Sequence, residues 1–344
     1  MFRIGIIGCG RIVQVRHIPE YADNPDACLA GYYDLNTERA VQLAAQYGGK
    51  VYPSYEELLA DKAIDAVSVC VANHDHEKIT VAALKAGKHV LCEKPMAMSL
   101  EECEHMVQTA KAENRFLMIG HNQRLAKAHA KAKELIESDL IGTILTFKTG
   151  FAHGGPETWS IDPGKNVWFF DKNIAIMGAM ADLGIHKTDL VQFLTGSRVS
   201  EVTAYLGTLD KRDGSGTLVG VDDNAICIYK MENGAVGTMT ASWTCYGEED
   251  NATILYGTKG VMKIYSDPAH SIVVELKGGE KIFYDIDKIQ TNDNQTKSGV
   301  IDLFMKSLTT NTPPEISGEE ALAAMKAVFA AVESSRTGKR VKVK

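Results

Sequence analysis

Phe2-Arg3-Ile4-Gly5-Ile6-Ile7 is a strand-like run, and it leads straight into Gly8-Cys9-Gly10-Arg11-Ile12-Val13, which reads as a glycine turn opening a helix. A dinucleotide pyrophosphate needs the backbone N–H groups of a helix N-terminus close by, and glycine permits both the turn and the approach. Gly8, Gly10, Arg11 and Ile12 are the expected residues on that side of the cofactor. The third glycine position of the fingerprint is taken by Val13, so helix and strand should pack less closely there. Two glycines at a strand end also make an ordinary turn. The pattern around them decides between the two readings.

Further along, Cys28–Tyr33, Ala66–Val71, His89–Cys92 and Phe116–Ile119 are short and mostly apolar on consecutive positions. Such runs suit strands buried on both faces of a parallel sheet. Helical stretches lie between them. Ser54-Tyr55-Glu56-Glu57 and Ser99-Leu100-Glu101-Glu102 have capping-box spacing, and Gly87 stands where a helix ending at Ala86 needs a left-handed residue. Strand and helix in alternation predict a doubly wound Rossmann sheet over residues 1–120. Asp34 ends the second strand, where a carboxylate would accept hydrogen bonds from the adenosine ribose and repel a 2′-phosphate. That favours NAD over NADP, although Arg39 nearby could receive a phosphate, and Asp34 could instead cap the helix Thr37–Tyr47.

Residues 121–344 read differently. A polar helix near Leu125–Ser138 leads to a strand at Thr143–Thr149, and an irregular loop with Gly and Trp runs from Phe151 to about Met177. Ala179–Leu194 is helical. Val199–Leu206, Asn224–Met231, Ala235–Trp243, Thr253–Tyr256 and Val261–Tyr265 follow as strands without intervening helices, which implies a large, mostly antiparallel open sheet in an α+β domain. Ser317–Ser335 is a further helix, able to pack on either domain.

Composition narrows the function. A formal charge of -7 without any Lys/Arg run argues against nucleic-acid or membrane-surface binding. No apolar run approaches the roughly 18 residues of a membrane span, and the N-terminus turns glycine-rich too soon for a signal peptide. The seven cysteines contain no Cys-x-x-Cys pair, so reduced thiols in a cytoplasmic enzyme are expected. His74, Asp75 and His76 are too isolated to suggest a metal.

Two motifs carry chemistry. Lys94, in Glu93-Lys94-Pro95 after the strand His89–Cys92, would stand at the carboxyl end of a central parallel strand, where ligands of open sheets bind. Asp182 and His186 lie four residues apart and so share a helical face; a histidine exchanges protons near neutral pH and a carboxylate can orient it. Asp189 fits a structural role better.

In combination, Asn73-His74-Asp75-His76, the run Ala86-Gly87-Lys88-His89-Val90-Leu91-Cys92-Glu93-Lys94-Pro95 and Gly178-Ala179-Met180-Ala181-Asp182-Leu183-Gly184-Ile185-His186 resemble the Gfo/Idh/MocA oxidoreductase family. The resemblance implies an NAD-binding Rossmann domain and a substrate domain whose open sheet associates into a homodimer or homotetramer. It matches Lys94, Asp182 and His186 to the catalytic set, and Ala72, Asn73, His76 and Glu93 to the cofactor side, with the Lys94–Pro95 peptide cis. Asn122, Arg124, His153 and Trp168 are candidates for contacts to a sugar or polyol, Arg124 having a salt bridge as its other use. Ala72 replaces a common proline, and Ile176-Met177-Gly178 replaces a glycine-rich run, which bears on the shape of the substrate pocket. The implied reaction is oxidation of a secondary alcohol of a sugar, inositol or related polyol. Glycoside hydrolysis or epimerisation with recycled NAD, and a non-catalytic NAD- or sugar-binding regulator, are the alternatives.

Overall fold

The computed structural model describes residues 1–288 and 297–344. They form two compact units: residues 1–122 with 297–322, and residues 123–288 with 323–344.

The first unit is built on β1 (Phe2–Ile7), α1 (Ile18–Asp23), β2 (Ala27–Tyr33), α2 (Thr37–Tyr47), β3 (Lys50–Val51), α3 (Tyr55–Ala60), β4 (Ala66–Val69), α4 (His76–Lys85), β5 (His89–Cys92), α5 (Leu100–Ala112) and β6 (Leu117–Ile119). The six strands are parallel in the order β3-β2-β1-β4-β5-β6. The order reverses beside β1, so the carboxyl ends of β1 and β4 flank the switch point at which open α/β sheets bind ligands. Ile4, Ile6, Ile7, Val67, Val69, Val90 and Leu91 are buried, as doubly covered strands require. Both serine caps form: Ser54 Oγ accepts from the Glu57 N–H, and Ser99 and Glu102 make a reciprocal capping box. Gly87 is left-handed at φ 77°.

The second unit runs through α6 (Lys127–Glu137), β7 (Ile144–Ala152), the single turns α7 (Pro156–Trp159) and α8 (Lys172–Ala175), and α9 (Ile185–Thr195). Strands β8 (Val199–Gly207), β9 (Asn224–Met231), β10 (Val236–Ser242), β11 (Thr253–Gly257), β12 (Gly260–Ile264), β13 (Ile272–Leu276) and β14 (Lys281–Tyr284) follow. After α10 (Val300–Thr310), which belongs to the first unit, come α11 (Gly318–Thr337) and β15 (Val341–Lys342). The nine-stranded order is β14-β13-β12-β11-β7-β10-β9-β8-β15. Successive strands predict antiparallel neighbours, yet β7 and β10 pair in parallel, Val236 opposite Thr146. The reason is the crossover: α9 and the β8–β9 hairpin intervene, so β10 returns alongside β7 in the same direction. α9 is buried against the inner face of this sheet, where the Thr188 and Tyr229 hydroxyls are 2.9 Å apart. α11 ends on the same unit, Ser334 and Ser335 accepting hydrogen bonds from the β8 N–H groups of Ala204 and Leu206.

Candidate active site

In the first unit, the carboxyl edge of the sheet gathers the residues expected around a dinucleotide. Gly8 has φ 91°, and a Cβ there would stand 2.4 Å from the Cys70 carbonyl oxygen, so only glycine fits the crossing of β1 and β4. At Gly10 the space a Cβ would enter is open. Arg11 is exposed and Ile12 half-buried at the start of the helix that follows. Its first N–H groups have no acceptor within the helix, as anion binding needs. The Asp34 carboxylate accepts from the Cys9 N–H at 2.5 Å and from the Asn36 N–H at 2.7 Å, fastening the glycine loop to the end of β2. The N-cap position of α2 is held by Asn36, whose side chain makes no capping hydrogen bond, and not by Asp34. Carboxylate oxygens keep further lone pairs beyond these bonds, so Asp34 can still receive a ribose hydroxyl. This donor and acceptor set fits an adenine dinucleotide.

The helix after the glycines is π-helical over Val13–His17 before continuing as α1. It carries two buried basic side chains, Arg16 and His17, that the sequence reading missed. His17 Nε2 donates to Glu93 Oε1 at 2.8 Å, and Arg16 approaches the same oxygen at 3.8 Å. The Lys94 N–H donates to Glu93 Oε2 at 3.2 Å. Burial opposes charge on Glu93, but the His17 hydrogen bond and the His17, Arg16 and Lys94 charges hold its carboxyl down at about 2. Glu93, expected beside the cofactor, is therefore an ionised carboxylate enclosed by side chains of the first unit. The Lys94–Pro95 peptide is cis. Burial pushes the His76 pKa below its usual value, against the two carbonyls that face its ring nitrogens, Pro95 at 2.7 Å from Nδ1 and Val71 at 3.1 Å from Nε2; the neutral ring donates to one of them. These contacts give His76 a place in supporting the Lys94 turn. Ala72 and buried Asn73 open the short helical turn between β4 and α4.

In the second unit, Asp182 lies on a π-helical turn, Met180–Gly184, that runs into α9, with His186 in the first turn of α9. Insertions of this kind are frequent at functional sites. Asp182 and His186 are 8% and 6% exposed. Trp243 Nε1 donates to Asp182 Oδ2 at 3.0 Å, and His153 Nε2 lies 3.9 Å from the same oxygen. The start of this helix is pinned by Asp222, whose two oxygens accept from the Gly178 and Met180 N–H groups, each at 2.8 Å. Burial pushes Asp222 up to about 6, with those two N–H groups acting the other way. A Cβ at Gly178 would lie 2.0 Å from the Asp222 carbonyl oxygen, so glycine is required there. Trp243 and Asp222 were not foreseen; the acidic pair before β9 and a tryptophan just after β10 were the available signals.

The Ile176 departure has a structural form. Ile176 has φ 62° and ψ -46°, and the Met177 N–H donates to the Ala175 carbonyl at 2.8 Å. This is a γ-turn with positive φ, a strained conformation for a β-branched residue and an easy one for glycine. The strain sits two residues ahead of Gly178.

An aromatic row leads away from His186. Phe151 lies 6.2 Å from it, followed by His153, Trp159 and Phe169, with Trp168 stacked on Phe169 at 3.8 Å. Trp168 thus stands at the far end of the row, with one face covered, whereas His153 is beside Asp182. Arg124 is committed to the salt bridge: Nε and one terminal nitrogen meet the Asp189 carboxylate at 2.7 and 2.6 Å, both residues buried. This bidentate pair ties the segment before α6 to α9. Asn122 is half-buried at the end of the first unit's sequence.

Residues 2–121 match the oxidoreductase family described as having an NAD-binding Rossmann fold, and residues 129–263 match the GFO/IDH/MocA C-terminal domain. Myo-inositol 2-dehydrogenase of Thermotoga maritima is 27% identical over 99% of this chain and 98% of its own length. Glucose-6-phosphate 3-dehydrogenase of Bacillus subtilis is 35% identical over 68% of this chain and 65% of its own. Among solved structures, levoglucosan dehydrogenase in complex with NADH and levoglucosan superposes with a TM-score of 0.87 at 26% identity, covering 99% of both chains. The chain belongs to the Gfo/Idh/MocA family, NAD-binding oxidoreductases with a Rossmann domain followed by the family's C-terminal domain.

Proposed function

We propose that this oxidoreductase is a dehydrogenase that oxidises a secondary alcohol of a sugar, inositol or related polyol, with Lys94, Asp182 and His186 as its catalytic residues. The observation that carries this reading is the buried Asp182, held by Trp243 and flanked by His153, one turn before His186. His186 takes the hydroxyl proton, Asp182 orients it or a neighbouring hydroxyl, and Lys94 holds the oxygen as it becomes a carbonyl. NAD, when bound, supplies the acceptor for the hydride leaving the carbinol carbon. Gly8, Gly10, Arg11 and Ile12 would seat its pyrophosphate and Asp34 its ribose. The relatives named for inositol, levoglucosan and glucose 6-phosphate support a polyhydroxylated substrate. The aromatic row from Phe151 to Trp168 supplies faces of the kind on which sugar rings stack.

Association through the open sheet is part of the same reading. Its outer face carries Tyr205, Ile226 and Ile228, each at least half exposed, with Thr203 opposite Ile228 and Thr240 opposite Ile226. A contiguous apolar patch of this kind suits a second copy of the chain.

Lys94→Ala should lower turnover about 10²- to 10⁴-fold, while NAD still raises the melting temperature as in the wild type. Full turnover in the variant would remove Lys94 from the chemistry. A thermal-shift screen of polyols, sugars and sugar phosphates with NAD present identifies the substrate class.

A further inference from the structure

Behind the glycine loop, the first unit buries a chain of polar side chains that the proposed chemistry leaves unused. His17 is fully buried at the end of the π-helical turn that follows the glycines. Its Nε2 donates to Glu93, while Nδ1 lies 3.3 Å from Ser68 Oγ on β4, itself 2.9 Å from the Tyr21 hydroxyl on α1. The second Glu93 oxygen accepts from the Lys94 N–H. Gly120, after β6, lets the chain close over this carboxylate; a Cβ there would stand 3.0 Å from Oε1. One continuous set of contacts therefore runs from the helix behind the dinucleotide loop to the main chain of Lys94.

Such a network is poorly explained by stability. Burying a carboxylate with its cations costs desolvation that apolar side chains of the same volume avoid. What the network supplies is fixed geometry, because every member limits the next. Its two ends are also chemically meaningful, a loop shaped for a pyrophosphate and a lysine shaped for a substrate oxygen.

We propose that His17 and Glu93 are positioning residues for Lys94, setting the lysine turn in register with the dinucleotide loop. This rests on the catalytic role given to Lys94 above. Seating the cofactor on the loop then orders the lysine through the helix that both share. A displacement of the reacting groups by about 1 Å can cost about 100-fold in rate, so loss of the link falls on turnover.

The test combines amide hydrogen exchange of the segment containing Lys94 with steady-state kinetics. The proteins are the wild type, His17→Leu, His17→Gln, Glu93→Gln and Lys94→Ala. In the wild type, NAD should slow exchange in that segment. His17→Leu and Glu93→Gln should lose this protection and fall roughly 10- to 100-fold in kcat, and His17→Leu should keep the NAD-induced rise in melting temperature. His17→Gln, whose amide nitrogen can take the place of Nε2, should restore most of both. Combining His17→Leu with Glu93→Gln should be no slower than the slower single variant, because the link is already broken. Wild-type kcat and protection in folded Glu93→Gln, or a His17→Gln no better than His17→Leu, would overturn the proposal. If Lys94→Ala itself retains turnover, the catalytic reading fails first; if it is inactive while the His17 and Glu93 variants run at full rate, only the positioning role fails.

Discussion

At the scale of single residues, Asp182 depends on a donor sixty-one positions away. The Trp243 indole N–H fixes one carboxylate oxygen from a fully buried position. A hydrogen bond to a charged group contributes about 1.5–3 kcal/mol. Trp243→Phe should therefore lower kcat roughly 10- to 100-fold with the NAD-induced stabilisation unchanged, since Trp243 belongs to the second unit. An unchanged kcat would show that Asp182 needs no orientation. Lys94, Asp182 and His186 stand out in the sequence only through their combination with the glycine loop and the family resemblance, since alone a Lys-Pro turn or an Asp/His pair four apart is ordinary surface structure. Their supports do not stand out. His17 reads in the sequence as one more polar residue of a first helix, and only the approach of β5 reveals what it faces. Arg124 shows a case where the alternative weighed in the sequence, a salt bridge, forms with Asp189.

At the scale of elements, α9 carries a fully buried lysine next to His186. Lys187 Nζ donates to the Asn251 carbonyl at 2.8 Å, and burial pushes it from its usual 10.5 down to about 7, against the pull of Asp250 and Glu249. Between those values the unfolded chain holds the proton more firmly than the folded one, so this group makes stability rise with pH from about 7 to 10.5. Lys187→Met should remove that part of the pH dependence, read as the difference between urea unfolding curves of variant and wild type across the window. Identical pH dependence in the two proteins would show that Lys187 is not buried as described. Most elements of the first unit were readable because its strands are uniform apolar runs and its helices are capped by Ser54 and Ser99. The short β3 and β15, two residues each, carry no periodicity of their own. β13, β14 and α10 went unread too, and the parallel pairing of β7 with β10 is set by the crossover, which no local pattern records.

At the scale of the molecule there are two compact units: one carries the glycine loop and Lys94, the other Asp182, His186 and an open sheet. Among the described residues no helix is long and apolar enough to cross a membrane. The exposed row of Tyr205, Ile226 and Ile228 predicts that Ile228→Lys shifts the protein to a smaller species in analytical ultracentrifugation, with its melting cooperativity kept. A wild type that is already monomeric would leave that face without a partner. Lys94 is the residue on which the proposed oxidation most depends. Nicotinamide absorbance should rise when wild-type protein meets NAD and its preferred polyol, and should stay flat with Lys94→Ala at matched NAD occupancy. An equal rise from the two proteins would contradict it.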